Sequence, residues 1–204
     1  MARITALFSD VGGVILTNGW DRNSRRHAAE KFRLEWEEFE DRHELVAAAL
    51  DKGQLSVEQY LDRTVFYRSR DFSKQDFREF MLAQSQPYPE TMSLLGRLAQ
   101  SKKYLLATLN NESLELNQYR IDRFGLRSYF SIFFSSCFLG IKKPDEAIYR
   151  LALNMTQRAP EECVFVDDRA LNLDGARSLG IHIILFRGAA ELERELVSLG
   201  VETA

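Results

Sequence analysis

"LFSDVGGVIL", residues 7–16, carries an apolar run into a lone acid, Asp10, and then places glycine at positions 12 and 13. A carboxylate is costly inside a sheet, so an acid that closes such a run belongs at the strand's end, next to solvent or to chemistry. Four other stretches share the brevity and near-continuous apolarity of "ITALFS" (4–9): "KYLLATL" (103–109), "SIFFSS" (131–136), "CVFVD" (163–167) and "HIILF" (182–186). Strands covered on both faces read in this way. Helical patterns separate the last four: "NESLELNQYRIDRFG" stops at Gly125, "KPDEAIYRLALNM" opens on a proline, and "NLDGARSLG" closes on Gly180. The alternation implies an α/β fold, a Rossmann-like doubly wound parallel sheet with helices on both faces.

One region breaks the alternation. Residues 18–86 hold no convincing strand but four helical segments, "SRRHAAEKF", "EWEEFEDRHELVAAAL", "SVEQYLDRTVFYRS" and "SKQDFREFMLAQ". Ser56 and Ser73 each precede an amphipathic run with a polar residue three places on, which signals a helix start. The expected organisation is a core of residues 1–17 and 87–204, interrupted by an inserted four-helix unit over 18–86. "TNGW" (17–20) is the expected exit hinge and "SQPYPE" (85–90) the return hinge.

Of the 204 residues, 45% are hydrophobic and 28% charged, with a formal net charge of -3, which suits a globular chain and gives no basic excess for nucleic acid. No apolar stretch approaches the roughly 20 residues that span a bilayer, and "MARITALFSD" reaches an acid before a signal-peptide core develops. Cys137 and Cys163 form no CxxC pair and read as reduced core thiols. The expectation is a soluble cytoplasmic protein, monomer or homodimer, with neither nucleic acid nor membrane as partner.

Ligands of open α/β sheets bind outside the carboxyl ends of the strands, so the polar residues there carry the functional reading. They are Asp10; Asn110, Asn111 and Glu112; Ser135 and Ser136 followed by "GIKKPD"; and Asp167, Asp168 and Asn172 in "DDRALN". Three carboxylates converging on one rim repel unless a divalent cation joins them, and hard oxygen ligands favour Mg²⁺.

The chain resembles the haloacid dehalogenase-like hydrolase superfamily with a helical cap of the C1 type. The resemblance rests on "FSDVGGVIL", "LLATLNN", "GIKKPD" and "FVDDRALNLDGARSLG", four motifs in the family's order. It is most similar to the branch of bacterial sugar-1-phosphate phosphatases and the N-terminal phosphatase domain of soluble epoxide hydrolases. The resemblance implies that Asp10 is a nucleophile forming an aspartyl-phosphate. It implies that Lys143 neutralises Asp10 and the phosphoryl group, and that Asn110, with Asn111 beside it, contacts the substrate. It further implies that Asp10, the Gly12 carbonyl and Asp168 hold Mg²⁺, with Asp167 either ligating or holding a metal-bound water. The substrate it implies is a small phosphorylated metabolite, sugar phosphates being favoured.

Two positions depart from the family pattern. Gly12 stands where phosphatases of this kind carry a second aspartate, so leaving-group protonation falls to water or a cap residue, or the leaving group is itself acidic. Leu109 replaces the usual Ser or Thr before Asn110, and Thr108 points to the opposite face. Two alternatives follow: carbon–halogen hydrolysis of the haloacid dehalogenase type, and a catalytically degenerate binder of a phosphorylated ligand or protein. Glu112 reads as a helix N-terminal acid, His43 and His182 as ordinary surface and strand histidines, and Trp36, Phe39, Tyr60, Phe66, Phe77 and Phe80 as the insertion's own core.

Overall fold

The computed structural model describes residues 2–203. The five expected strands form, each about where its apolar run lies: β1 (Ala6–Ser9), β2 (Leu105–Asn110), β3 (Ile132–Ser135), β4 (Cys163–Asp167) and β5 (His182–Leu185). Between β1 and β2 come helices α1 (Arg22–Lys31), α2 (Trp36–Asp51), α3 (Val57–Thr64), α4 (Lys74–Ala83) and α5 (Pro89–Ser101). The rest of the chain adds α6 (Leu114–Arg123), the single turn α7 (Ser136–Leu139), α8 (Glu146–Thr156), α9 (Ala170–Arg177) and α10 (Ala189–Ser198).

All strand pairs are parallel, in the order β3-β2-β1-β4-β5, so the chain reverses its direction of winding at β1. Ser9 lies opposite both Thr108 and Val166, and the Asp10 amide donates to the Val166 carbonyl. Asp10 and Asp167 therefore leave neighbouring strands side by side at the switch point, where an α/β sheet opens its ligand crevice.

Alternation sorts each strand's side chains to two cores. On one face Leu7, Val164, Val166 and Ile184 pack with Leu94 and Leu98 of α5, Ile121 of α6, and Leu192 and Leu196 of α10. On the other, Phe8, Ala107, Leu109, Phe134 and Phe165 meet Ile148 and Tyr149 of α8, with Leu173 and Ala176 of α9. Leu109 is thus a core residue, which is why an apolar side chain stands there.

The helices α1–α4 share a separate apolar cluster that includes Trp20, Phe39, Leu50, Tyr60, Phe77 and Met81, joined by Leu116 from α6. Ser56 and Ser73 cap α3 and α4 in capping boxes closed by Gln59 and Asp76. α3 is shorter than its expected segment: after Thr64 the Phe66 amide reaches back to the Leu61 carbonyl and the helical ladder ends. Inside the cluster lies a buried two-point ion pair, with Arg25 Nε and Nη2 each 2.8 Å from a Glu40 oxygen. The two connections run side by side, since the Thr17 amide donates to the Gln86 carbonyl and the Gln86 amide to the Thr17 hydroxyl. The end of α2 is tied down by Lys142, whose Nζ is 2.5 Å from Asp51, and by the Ser136 hydroxyl donating to the Asp51 carbonyl. Among the described residues no helix is long and apolar enough to cross a membrane.

Candidate active site

β1 ends on Asp10 because an apolar strand can deliver a carboxylate to the rim without burying it among hydrocarbon. Its neighbour is a cation: Lys143 Nζ lies 3.0 Å from Asp10 Oδ2 and 2.6 Å from Asp167 Oδ2. The lysine is 1% exposed and Asp167 is fully buried, so this is an ion triad within the protein rather than a surface pairing. Asn172, one turn into α9, donates to both Asp167 oxygens, and the Arg169 amide donates to Oδ1. Burial pushes the Asp10 carboxyl up to about 7; Lys143 pulls it down and Asp167 adds to the rise.

Asp168 completes the group. Asp10, Asp167 and Asp168 each offer an oxygen within 4.8 Å of the others. Asp168 Oδ2 accepts from the Asn18 amide at 3.2 Å, whereas its Oδ1 is buried with no hydrogen-bond partner among the described residues. A buried carboxylate oxygen without a donor is costly, and a cation beside it would remove the cost. Gly13 keeps the approach open: a Cβ there would stand 2.2 Å from Asp168 Oδ2, and its φ of +74° also favours glycine. The donor set is all oxygen and carries three formal negative charges against one lysine, which fits a hard divalent cation.

The two asparagines after β2 have different surroundings. Asn111 clamps Lys143, its Oδ1 accepting from the lysine's amide and its Nδ2 donating to the lysine's carbonyl, both at 2.9 Å. Asn110 turns inward, accepting from the Ser135 hydroxyl at 2.9 Å and donating to Asn117 at 3.0 Å. Asn111 lines a cleft of about 500 Å³ with Asp10, Gly12 and Lys143, and Asn110 does not. Ser135 is spent on Asn110, and the Thr108 hydroxyl is buried without a partner among the described residues. The cleft's other wall comes from the helical insertion and its exit hinge, including Trp20, Arg25, His43 and Leu50.

The family model of haloacid dehalogenase-like hydrolases matches residues 4–180. The chain belongs to that family. Flavin mononucleotide hydrolase 1 of Arabidopsis thaliana is 28% identical over 166 residues, which cover 81% of this chain and 66% of that protein. Bifunctional epoxide hydrolase 2 of Sus scrofa is 41% identical over 71 residues, covering 35% of this chain and 13% of that one. The chain therefore matches less than two thirds of the length of either relative. A HAD family enzyme of Bacteroides thetaiotaomicron has the same fold, with a TM-score of 0.77 at 22% identity over 90% of this chain and 93% of that one. The same enzyme is also known in complex with magnesium and inorganic phosphate, with a TM-score of 0.75 to this chain.

Against the family's pattern, the space beside Gly12 is filled. A Cβ at Gly12 would meet Asn18 Oδ1 at 3.2 Å and Arg120 Nη1 at 3.5 Å. Arg120 is 2% exposed; its Nη1 lies 2.9 Å from Glu112, Nε donates to the Ser85 hydroxyl and Nη2 to the Thr17 carbonyl. Gly19 makes room for the same guanidinium, since a Cβ there would sit 1.8 Å from Nη2. Asn18 and the Arg120 guanidinium thus flank Gly12, and Glu112 pairs with the same guanidinium nitrogen. Burial holds the Glu112 carboxyl above its ordinary range, with Arg120 opposing, and Glu112 lines the cleft besides accepting from the Ser113 amide ahead of α6.

Sequence reasoning passed over Arg120, although a signal existed: Leu116, Asn117, Arg120 and Ile121 share the buried face of α6, and an arginine at such spacing calls for a partner. It also took His43 for a surface residue. The ring is half-buried, faces the cleft and contacts Tyr60 Oη through Nδ1 at 3.0 Å. Nothing in the local pattern distinguishes that side of α2, because the turn of α2 on its axis is set by the packing of Phe39 and Leu50.

Proposed function

We propose that the chain is a Mg²⁺-dependent phosphatase of small phosphorylated metabolites, sugar phosphates foremost, acting through an aspartyl-phosphate on Asp10. The observation that carries this reading is the Asp10 carboxylate held 3.0 Å from Lys143, with the carboxylates of Asp167 and Asp168 gathered around it. Asp10, Asp168 and the Gly12 carbonyl would hold the cation, and Asp167 would ligate it or orient a bound water while fixing Lys143. Bound Mg²⁺ would supply charge neutralisation to the three carboxylates and to the transferring phosphoryl group. The magnesium and phosphate complex of the Bacteroides enzyme supports the same pairing of ion and substrate.

The chain's own groups then divide the work. Asp10 in its ionised form attacks phosphorus; Lys143 favours that form against the effect of burial and meets the phosphoryl charge. Asn111 positions Lys143 through its main chain, and Asn110 braces the ends of β2 and β3. Residues 18–86 act as a cap over the rim, excluding water and reading the leaving group. With glycine at position 12, leaving groups more acidic than an alkyl alcohol are favoured, so a sugar 1-phosphate should turn over faster than the matching 6-phosphate. We assign the protein to the cytoplasm, where the unpaired Cys137 and Cys163 would stay reduced, as a monomer or homodimer.

A phosphate-release screen across sugar, acyl and nucleotide phosphates with Mg²⁺ tests the reading. Release should vanish in Asp10→Asn; release that survives the substitution refutes the nucleophile. The missing acid at Gly12 also suits carbon–halogen hydrolysis, which needs neither leaving-group protonation nor a metal. Chloride freed from 2-chloropropionate in EDTA would put that second reading first.

A further inference from the structure

We infer that His43 reads the leaving group of the substrate through Nε2–H, a tautomer set by a hydrogen-bond relay from the cap's interior; this role rests on the phosphatase reading above. The relay follows by counting protons. The Trp20 indole nitrogen has a proton and no lone pair to offer, so it donates to the Tyr60 hydroxyl at 2.9 Å. The hydroxyl has one proton, and we assign it to His43 Nδ1, 3.0 Å away; the Thr64 hydroxyl, which also bears on that oxygen, gives its own proton to the Tyr60 carbonyl. An uncharged imidazole that accepts at Nδ1 carries its proton on Nε2.

The ring is oriented by that bond, since a half-turn would set the carbon Cδ2 against the Tyr60 hydroxyl in place of Nδ1. It stands edge-on to Tyr60 at 5.8 Å and 87°, and Tyr60 is fully buried. Among the described residues no group bonds Nε2, and the residue lines the same cleft as Asp10 and Lys143. Arg25 from α1, Glu40 from α2 itself and Lys142 from the core are the charged groups that bear on the ring. Burial, then Arg25, push its pKa down to about 4, with Lys142 adding to the fall and Glu40 opposing it. Across neutral pH the ring is an uncharged donor.

An uncharged N–H adds little to a dianionic phosphoryl group already facing Lys143. It suits a neutral acceptor instead: the hydroxyl, ring or carbonyl oxygen of a polyol or sugar leaving group. The substrate class this selects is a phosphate ester whose leaving group presents such an oxygen on the cap side.

Two measurements decide it. Long-range ¹H–¹⁵N spectra of the metal-free protein at pH 7 should show His43 as the Nε2–H tautomer, and Tyr60→Phe should mix the tautomers. An Nδ1–H ring, or an imidazolium at that pH, overturns the inference. In steady-state assays with Mg²⁺, His43→Leu should lower the ratio of kcat/KM for α-D-glucose 1-phosphate to that for phenyl phosphate by about 3–10-fold. The fall should be carried by KM, and His43→Gln, which keeps an N–H of similar reach, should recover most of it. An equal loss on both esters marks a structural role and overturns the inference. Wild-type protein that releases phosphate from neither ester defeats the phosphatase reading and the leaving-group role with it, while the spectrum decides the donor by itself.

Discussion

The two walls of the cleft are built on different principles. The core wall carries Asp10, Asn111 and Lys143, with Asp167 and Asp168 grouped around Asp10, all within a few residues of strand ends or in the loop before α8. The cap wall carries Arg25 and His43 on helix faces and Trp20 on the exit hinge. Parallel pairing delivers the first set to one rim whatever their side chains do, because register places Asp10 beside Asp167 through the backbone. The second set reaches the cleft only because the aromatic interior of α1–α4 turns each helix in a particular direction. The core wall should thus be tuned for chemistry and fail through lost charge balance, and the cap wall for selection and fail through lost packing.

Removing Lys143 tests the first half most severely. Lys143→Met leaves Asp10 and the fully buried Asp167 without their cation, and we expect a loss of about 3–5 kcal/mol in urea unfolding of the metal-free protein. Saturating Mg²⁺ should restore part of that loss, since it neutralises the same oxygens. If the variant unfolds at the wild-type midpoint without metal, the triad does not hold the rim together.

The matching cut in the cap is Glu40→Gln, which leaves Arg25 buried beside a neutral amide. About 3 kcal/mol should be lost, with hydrogen exchange rising in α1 and α2 while Mg²⁺ affinity stays at the wild-type value. The hydrogen bond from Arg25 holds the Glu40 carboxyl below its ordinary 4.5, so its folded pKa is depressed. Its contribution is complete above the ordinary carboxylate range and is lost as pH falls through the folded value. Wild-type and variant stabilities should therefore converge in acid and separate towards neutrality; a constant gap would contradict the ion pair.

Smaller effects sharpen the contrast. Burial raises Asp10 from 3.8 to about 7 in the chain alone, so between those values the folded protein holds a proton that the unfolded chain has shed. Metal-free stability should decline as pH rises through that window. Mg²⁺ affinity, which needs the ionised carboxylate, should weaken by about tenfold for each pH unit below 7 in calorimetric titrations. An affinity flat from pH 5 to 8 would remove Asp10 from the ligand set. Smallest of all, Ser73→Ala opens one capping box on the outside of the cap and should cost about 1 kcal/mol of stability. Phosphate release should not change with it, and a change would mean that α4 is coupled to the rim.

What could be read from the chain follows the same division. Every strand was legible, since continuous apolar runs closed by polar residues have little else to be. α10 was not, because "AAELERELVS" follows the last strand in a charged stretch whose apolar Leu192 and Leu196 gain meaning only from the sheet face they cover. Asp10, Asp167 and Asp168 were legible because they follow or close apolar strand runs, and Lys143 because it stands directly before Pro144 in "GIKKPD". The split between Asn110 and Asn111 was not, since it depends on where β2 ends: Asn110 is its last residue, taken up by Ser135 and Asn117, and Asn111 is the first beyond it.

Sequence alone determined the succession of the five strands and of the helices up to α9 that carry a clear pattern, the residues that a parallel sheet must bring to its carboxyl rim, and the lack of a side chain at Gly12. Those are properties of periodicity and backbone pairing, which act over a few residues at a time. Tertiary structure decided that Asn18 and Arg120 stand beside Gly12, with Glu112 on the guanidinium, and that His43 lines the cleft. Their positions depend on how the helices pack, through contacts such as His43 with Tyr60 and Arg120 with Thr17, where burial and charge pairing choose among orientations that local pattern leaves equal.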